Sequence, residues 1–237
     1  MSKTSHNYPF EQSMKLATDA VVFGYTKETG LSVLLIKRKI DPFAHQWAIP
    51  GGFVHNNESL EDGVVRELRE ETGLTVNYLE QLYTFGNPDR DPRYRVVSVA
   101  YYALVKPDSF ITSAGSDAED VSWFPIDQLP SLAFDHSAII ASAIQRLRGK
   151  ITYEPIGFEL LEEKFPFSDL EHLYINLLGR EIDRRNFKRK IKQLDLLIEL
   201  DETAPMSSAG RPGKLYSFNK EKYFSLKERG FLFDMSF

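Results

Sequence analysis

Residues 52–74 read GFVHNNESLEDGVVRELREETGL. Ser59 stands where a helix cap is needed, Asp62 follows at the capping-box position, and Gly73 supplies a left-handed stop, so a helix is expected from about Leu60 to Thr72. At 100° per residue Glu67, Glu70 and Glu71 fall within an arc of roughly 100° on that helix, which lets one face present three carboxylates. Hard divalent cations want such oxygen donors: Mg²⁺ keeps several waters and bridges substrate phosphates. Three glutamates alone read more readily as a solvated acidic face.

The chain around this helix sets the fold class. AVVFGY at 20–25 and LSVLLIK at 31–37 are apolar runs joined by the turn TKETG, a hairpin. Further strands are expected near 79–85, 94–105 and 121–124, and a helix near 137–148. Residues 1–150 therefore read as an α+β domain with helices covering a mixed sheet. GKITYEPIGF at 149–158 breaks the periodicity, placing a boundary between residues 1–150 and 151–237. Beyond it Ser168 and Glu171 have capping-box spacing, and Leu170, Leu173, Tyr174, Leu177 and Leu178 form a helical stripe. Asp183 can cap the next helix. LLIEL, the loop DETAPMSSAGRPGK and LYSF follow, and this order is that of a winged helix-turn-helix.

Composition narrows the chemistry. With 237 residues, 42% of them hydrophobic and 17 of them Phe, the chain can bury a sizeable core. It has no cysteine, so a bound metal must be held by oxygen or imidazole. No apolar run is long enough to span a membrane and no apolar signal core opens the chain, so a soluble cytoplasmic protein is expected. A net charge of −5 argues against indiscriminate nucleic-acid binding. Its distribution is uneven: between Arg180 and Lys192 seven basic residues stand against two acidic ones. On a helix from Arg184 to Leu194, Phe187, Ile191 and Leu194 share one stripe, with Arg185, Lys188, Arg189 and Lys192 opposite. This is the second helix of the helix-turn-helix, the one that would enter a major groove, with Arg184 at its start and Asn186 as a candidate base reader. Arg211 and Lys214 on the wing suit backbone or minor-groove contact.

Gly52, Glu58, Arg66, Glu67, Leu68, Glu70, Glu71, Gly73 and Leu74 reproduce, at the right spacing, the Nudix box. The resemblance implies a Nudix α/β/α sandwich, with Glu67, Glu70 and Glu71 as ligands of Mg²⁺ or candidate bases, and Glu58 and Arg66 bracing the loop–helix–loop. The flanking stretches LLIKRKIDPFAHQWAIPGGFV, LYTFGNPDRDPRYRVVSVAYYALV and WFPIDQLPSLAFDHSAII resemble the branch of that family that handles ADP-ribose. Arg38, Arg93 and Arg95 are then plausible phosphate partners, because guanidinium forks match phosphate oxygens. Trp47, Phe85 and Tyr94 could stack on adenine, or simply pack. His136 reads more readily as structural than as catalytic.

LRGKITYEPIGFELL, LGREIDRRNFKRKI and GRPGKLYSF extend the likeness to the C-terminal part, where the chain resembles the Nudix-related transcriptional regulators of NAD metabolism. That resemblance implies a homodimeric repressor that binds palindromic double-stranded DNA near NAD-synthesis genes and is released by ADP-ribose. Many such regulators carry a degraded Nudix box, whereas this box is complete, so hydrolysis stays open. The rival expectation is a Mg²⁺-dependent ADP-ribose pyrophosphatase whose C-terminal domain serves only dimerisation; a regulator of another nucleotide or sugar is a third.

Overall fold

A computed structural model describes residues 13–76, 78–107, 118–204 and 213–230. Its first layer system is a seven-stranded mixed sheet made of β1 (Lys15–Thr26), β2 (Gly30–Arg38), β3 (Trp47–Ala48), β4 (Gly51–Phe53), β5 (Leu79–Phe85), β6 (Val96–Val105) and β7 (Ala118–Pro125). The central path runs β3-β2-β1-β6-β5, with β4 on β1 and β7 on β2. β1 and β2 form the expected antiparallel hairpin, with Thr26 opposite Gly30. β1 and β6 pair in parallel from Lys15↔Val96 to Gly24↔Val105. That long pairing explains why β1 starts at Lys15, five residues before its continuous apolar run.

Both faces of this sheet are covered, so its central strands are apolar on both sides. Ala20, Val22, Val99, Tyr101 and Ala103 face α1 (Leu60–Thr72) through Val64 and Leu68. Val21, Phe23, Tyr102 and Leu104 share the opposite core with Ile139, Ile140, Ala143 and Leu147 of α2 (His136–Lys150). The α/β/α sandwich thus follows from period-2 alternation in the strands meeting helical stripes above and below.

The C-terminal part contains β8 (Phe165–Pro166), α3 (Phe167–Leu178), α4 (Arg184–Gln193), β9 (Leu197–Thr203), β10 (Lys214–Phe218) and α5 (Lys220–Glu228), with the small strands in the order β8-β10-β9. Helix, turn, helix and a two-stranded wing are present in the expected order. The Ser168/Glu171 capping box does not form. β8 pairs with β10 up to Pro166, which takes the cap position without a side-chain bond, and Ser168 falls inside α3, its hydroxyl against Asp169. Asp183 does cap α4, accepting from the Asn186 N–H at 2.9 Å. α5, absent from the expectation, is capped by Asn219, which accepts from the Lys222 N–H.

Between the two parts the chain is buried. Ile151, Ile156, Phe158 and Leu160 join the core that holds α2 and continues through Leu173, Tyr174, Leu177, Phe187 and Ile191. Polar contacts reinforce the junction: Lys27 meets Asp169 of α3 at 2.7 Å and Lys106 meets Glu162 at 3.1 Å. The winged helix is packed onto the sheet system through a shared apolar core.

Candidate functional site

α1 places its carboxylates against β4. Ser59 accepts from the Asp62 N–H, and Gly73 closes the helix at φ 74°. Arg66 holds the start of α1 to the preceding loop: its Nε and Nη2 donate to the two Glu58 oxygens at 2.9 and 2.7 Å, and Nη2 also reaches the Phe53 carbonyl. Hydrogen bonds from Arg66 and the His55 N–H pull the Glu58 carboxyl down to about 2, so it is ionised throughout the physiological range. The other guanidinium nitrogen donates to Glu67 at 2.8 Å and to Glu70 at 3.1 Å.

Glu67 and Glu71, one turn apart, line a cleft of about 390 Å³ walled also by Asp19, Arg38, Gly51, Gly52, Arg90, Asp91, Arg93, Phe134 and His136. Burial raises the carboxyls of both, that of Glu71 to about 8, although the Gly51 N–H donates to it at 2.9 Å. Nearby Glu67 and Asp19 push Glu71 the same way. Gly52 lets the Glu67 carboxylate lie against the backbone: a Cβ there would stand 2.3 Å from Glu67 Oε1 and push it aside. Glu70 sits on the rim, with its side chain 55% exposed. Among the described residues no three acidic or imidazole groups converge as a formed metal site. The donors nonetheless suit Mg²⁺ in kind: two half-buried carboxylates beside Asp19 have their charge penalised and would gain from a hard cation.

The opposite wall carries positive charge. Arg38 donates to the Pro42 and Ile40 carbonyls, and its guanidinium lies 4.9 Å from the Phe134 ring centroid. Arg93, paired with Asp91, lies 6.0 Å from the same ring. Phe134 holds φ at +52°, a costly value for an aromatic residue and one that clusters at binding sites. Behind it Arg90, nearly buried, bonds Asp135 at 2.8 and 3.0 Å and Asp19 at 3.0 Å. Ser98 completes the shell of Asp19 at 2.6 Å. His136 accepts from the Ile49 N–H on Nδ1, and its burial lowers its pKa, so it stays neutral there.

Of the residues singled out from the sequence, Arg38, Arg66, Glu67, Glu70, Glu71 and Arg93 meet in this cleft, with Glu58 bracing it. Trp47, Phe85, Tyr94 and Arg95 do not line it. Trp47 packs edge-on against Phe124, Phe85 against Tyr83, Tyr94 is exposed, and Arg95 donates to the Val96 carbonyl. Asp19, Arg90, Asp135 and Phe134 escaped the sequence reading. Asp19 had a usable signal, since a charge inside a strand as apolar as TDAVVF requires a buried counter-ion.

The second candidate face is α4. Phe187 and Ile191 are fully buried, and Phe187 packs on Phe167 and Tyr174. Arg184, Arg185, Lys188, Arg189 and Lys192 are exposed, and Asn186 is half-buried with its side-chain oxygen accepting from Arg189 at 2.7 Å. Lys188 leans to the flank, 5.2 Å from the Phe167 ring centroid. Lys214 on the wing pairs with Glu199, and Arg211 lies outside the described residues.

Residues 15–147 match the NUDIX domain and residues 157–218 match the NrtR DNA-binding winged helix domain. The ADPR responsive transcriptional repressor NtrR of Acinetobacter baylyi is 31% identical over 92% of this chain and 86% of its own length. A crystal structure of Shewanella oneidensis NrtR complexed with a 27mer DNA superposes with a TM-score of 0.73 at 37% identity, covering 88% of this chain and 95% of that one. The NUDIX domain of the same S. oneidensis protein, complexed with ADP ribose, superposes with a TM-score of 0.55 at 39% identity over 62% of this chain and 99% of that one.

Proposed function

This chain belongs to the NUDIX domain family and carries an NrtR-type winged helix behind its NUDIX domain, and from that premise we propose that it is an ADP-ribose-responsive transcriptional repressor of genes of NAD metabolism. The observation that carries the reading is the coexistence, in one packed chain, of a cleft lined by guanidinium groups and carboxylates with an exposed basic second helix of a helix-turn-helix.

The cleft suits a diphosphate flanked by sugars. Arg38 and Arg93 are positioned for phosphate oxygens, where a planar fork gives paired, charge-assisted hydrogen bonds. The Phe134 ring beneath them offers a flat apolar surface to a ribose or base. Glu67 and Glu71, with Glu70 from the rim, are the residues that would hold Mg²⁺, which when bound supplies charge neutralisation at the diphosphate. Glu71, whose carboxyl burial raises to about 8, is largely protonated at neutral pH without a cation and is held by the Gly51 N–H; a cation beside it would favour the ionised form, the form that ligates or serves as a base. Glu58 and Arg66 keep α1 fixed on β4. The residues for ADP-ribose pyrophosphatase activity are thus present beside those for sensing, and hydrolysis is a second activity to be measured, not a premise of the regulatory role.

On DNA, α4 lies in the major groove and Arg185, Arg189 and Lys192 meet phosphates or base edges, with Arg184, Asn186 and Lys188 at its margins. The wing brings Lys214 to the adjacent backbone; Arg211, the other wing candidate, lies outside the described residues. Two chains related by a twofold axis read a near-palindromic operator. The setting is the cytoplasm; no helix among the described residues is long and apolar enough to cross a membrane. A gel shift with the DNA upstream of the protein's own gene, with and without ADP-ribose, tests the reading. Retarded DNA released by ADP-ribose supports it. Absence of any retardation, together with release of AMP and ribose phosphate from ADP-ribose in Mg²⁺, favours the pyrophosphatase.

A further inference from the structure

α2 spans the distance between the cleft and the winged helix. Its fifteen residues make a rod roughly 22 Å long. At its N-terminus Asp135 occupies the cap position, yet its side chain caps nothing; it is turned to Arg90, which also grips Asp19 at the cleft. His136, the first residue of the helix, lines the cleft and is pinned by the Ile49 N–H. Phe134, strained and bearing the guanidinium groups of Arg38 and Arg93, immediately precedes them.

At the far end Lys150 is bonded to Glu80 of β5 and lies 3.1 Å from Glu154. Glu154 accepts from Tyr223 at 2.6 Å and from Lys227 at 2.7 Å, both on α5 of the winged helix. Two residues earlier the Arg148 guanidinium lies against Gly179, the left-handed residue that ends α3 and opens the turn into α4: a Cβ there would stand 2.5 Å from Arg148 Nη2. A shift of the last turn of α2 therefore acts on the turn that sets the recognition helix and on α5.

Resting on the reading that an anionic ligand in the cleft governs operator binding, we propose that α2 carries cleft occupancy to the recognition helix, and that Lys150 and Glu154 are the positioning residues that fix its far end. A diphosphate that draws Arg38 and Arg93 off the Phe134 ring changes what Phe134, Asp135 and Arg90 hold, and the rod moves as a unit because a packed helix shifts between discrete arrangements rather than bending continuously. β2 offers a competing route, with Arg38 at one end and Gly30 against Asn176 of α3 at the other, beside the pair of exposed Lys27 with half-buried Asp169.

The experiment measures operator affinity with and without saturating ADP-ribose, free of divalent cation so that the ligand persists, for wild type, Lys150→Met, Glu154→Gln and Lys27→Met. The ratio of the two affinities is the coupling factor, about 5- to 150-fold for a typical allosteric pair. Lys150→Met and Glu154→Gln are expected to keep ADP-ribose affinity and ligand-free operator affinity while lowering the coupling factor at least about twofold; Lys27→Met is expected to leave it intact. A wild-type factor that survives in both α2 variants, or falls equally in Lys27→Met, overturns α2 as the route. A wild-type factor of one overturns the effector reading itself. Hydrogen exchange on the wild-type protein gives a readout that needs no variant: ADP-ribose should alter exchange in residues 147–154 and in α5, and unaltered exchange at both refutes the relay.

Discussion

Replacing Arg185 and Arg189 together by alanine tests the nucleic-acid face at its centre. The apolar stripe of α4 is fixed by Phe187 and Ile191, both fully buried, so the side diametrically opposite presents Arg185, Arg189 and Lys192, all exposed. Lys188 sits on the flank toward the Phe167 ring and is left out of the count. Three such cations on each of two helices neutralise six phosphates and contribute about −5 to the slope of log affinity against log salt, at roughly −0.9 per phosphate, with wing contacts adding to it. Wild-type affinity should then fall by at least about three orders of magnitude between 50 and 200 mM salt. The double variant removes four of the six α4 contacts, so its slope should be shallower than that of wild type by about 3.6 and its loss over the same range smaller by about two orders of magnitude. Fluorescence anisotropy of labelled operator over a salt series measures both. Because neither arginine touches the core, the melting temperature and ADP-ribose affinity should match wild type. An unchanged slope in the variant would remove α4 from the interface and refute the placement of the recognition helix.

Gly52→Ala puts a Cβ 2.3 Å from Glu67 Oε1, the far end of a flexible side chain that can swing aside; the melting temperature should stay near wild type while the displaced carboxylate lowers any Mg²⁺-dependent turnover of ADP-ribose by about a hundredfold, with ligand-free operator binding preserved. Phe187→Ala empties a fully buried site between Phe167 and Tyr174 and should lower unfolding free energy by about 3–5 kcal/mol in denaturant titration; a loss below about 1 kcal/mol would contradict that packing. Burial pushes the Glu154 carboxyl up, but hydrogen bonds from Lys227, Tyr223 and Lys150 outweigh it and bring its pKa from 4.5 to about 2. A depressed carboxylate contributes stability that is full above about pH 4.5 and is lost as pH falls toward about 2, so Glu154→Gln should flatten melting temperature against pH in that window. A variant as acid-sensitive there as wild type would show that another group carries the effect.

Local chemistry made α1 legible: Ser59 and Gly73 carry its two ends, and the bounds Leu60–Thr72 follow from them. The sandwich was legible because strands buried on both faces read as unbroken apolar runs. α3 begins one residue before Ser168 because the β8–β10 pairing carries the chain in extended form to Pro166, a constraint that no local spacing reveals. The cleft was half legible. The carboxylates of α1 are neighbours in sequence, whereas Asp19, Arg90 and Asp135 come together from positions 71 and 45 residues apart. Trp47 stood in a stretch rich in Pro and Gly that invites a binding role, yet β3 pairing on β2 turns it onto Phe124. Phe134 supplies the ring in the cleft, and its signal is backbone strain, which the sequence does not display.

The most direct test of an ADP-ribose-responsive repressor is the reciprocity of its two ligands. Operator affinity is measured with and without saturating ADP-ribose, and ADP-ribose affinity with and without saturating operator, in the absence of divalent cation. A ligand shifts an equilibrium only through its different affinity for two states, so the two factors must be equal. Both should lie between about 5 and 150, each ligand weakening the other. Operator affinity unmoved by saturating ADP-ribose would contradict the account and leave the cleft to hydrolysis or to another effector.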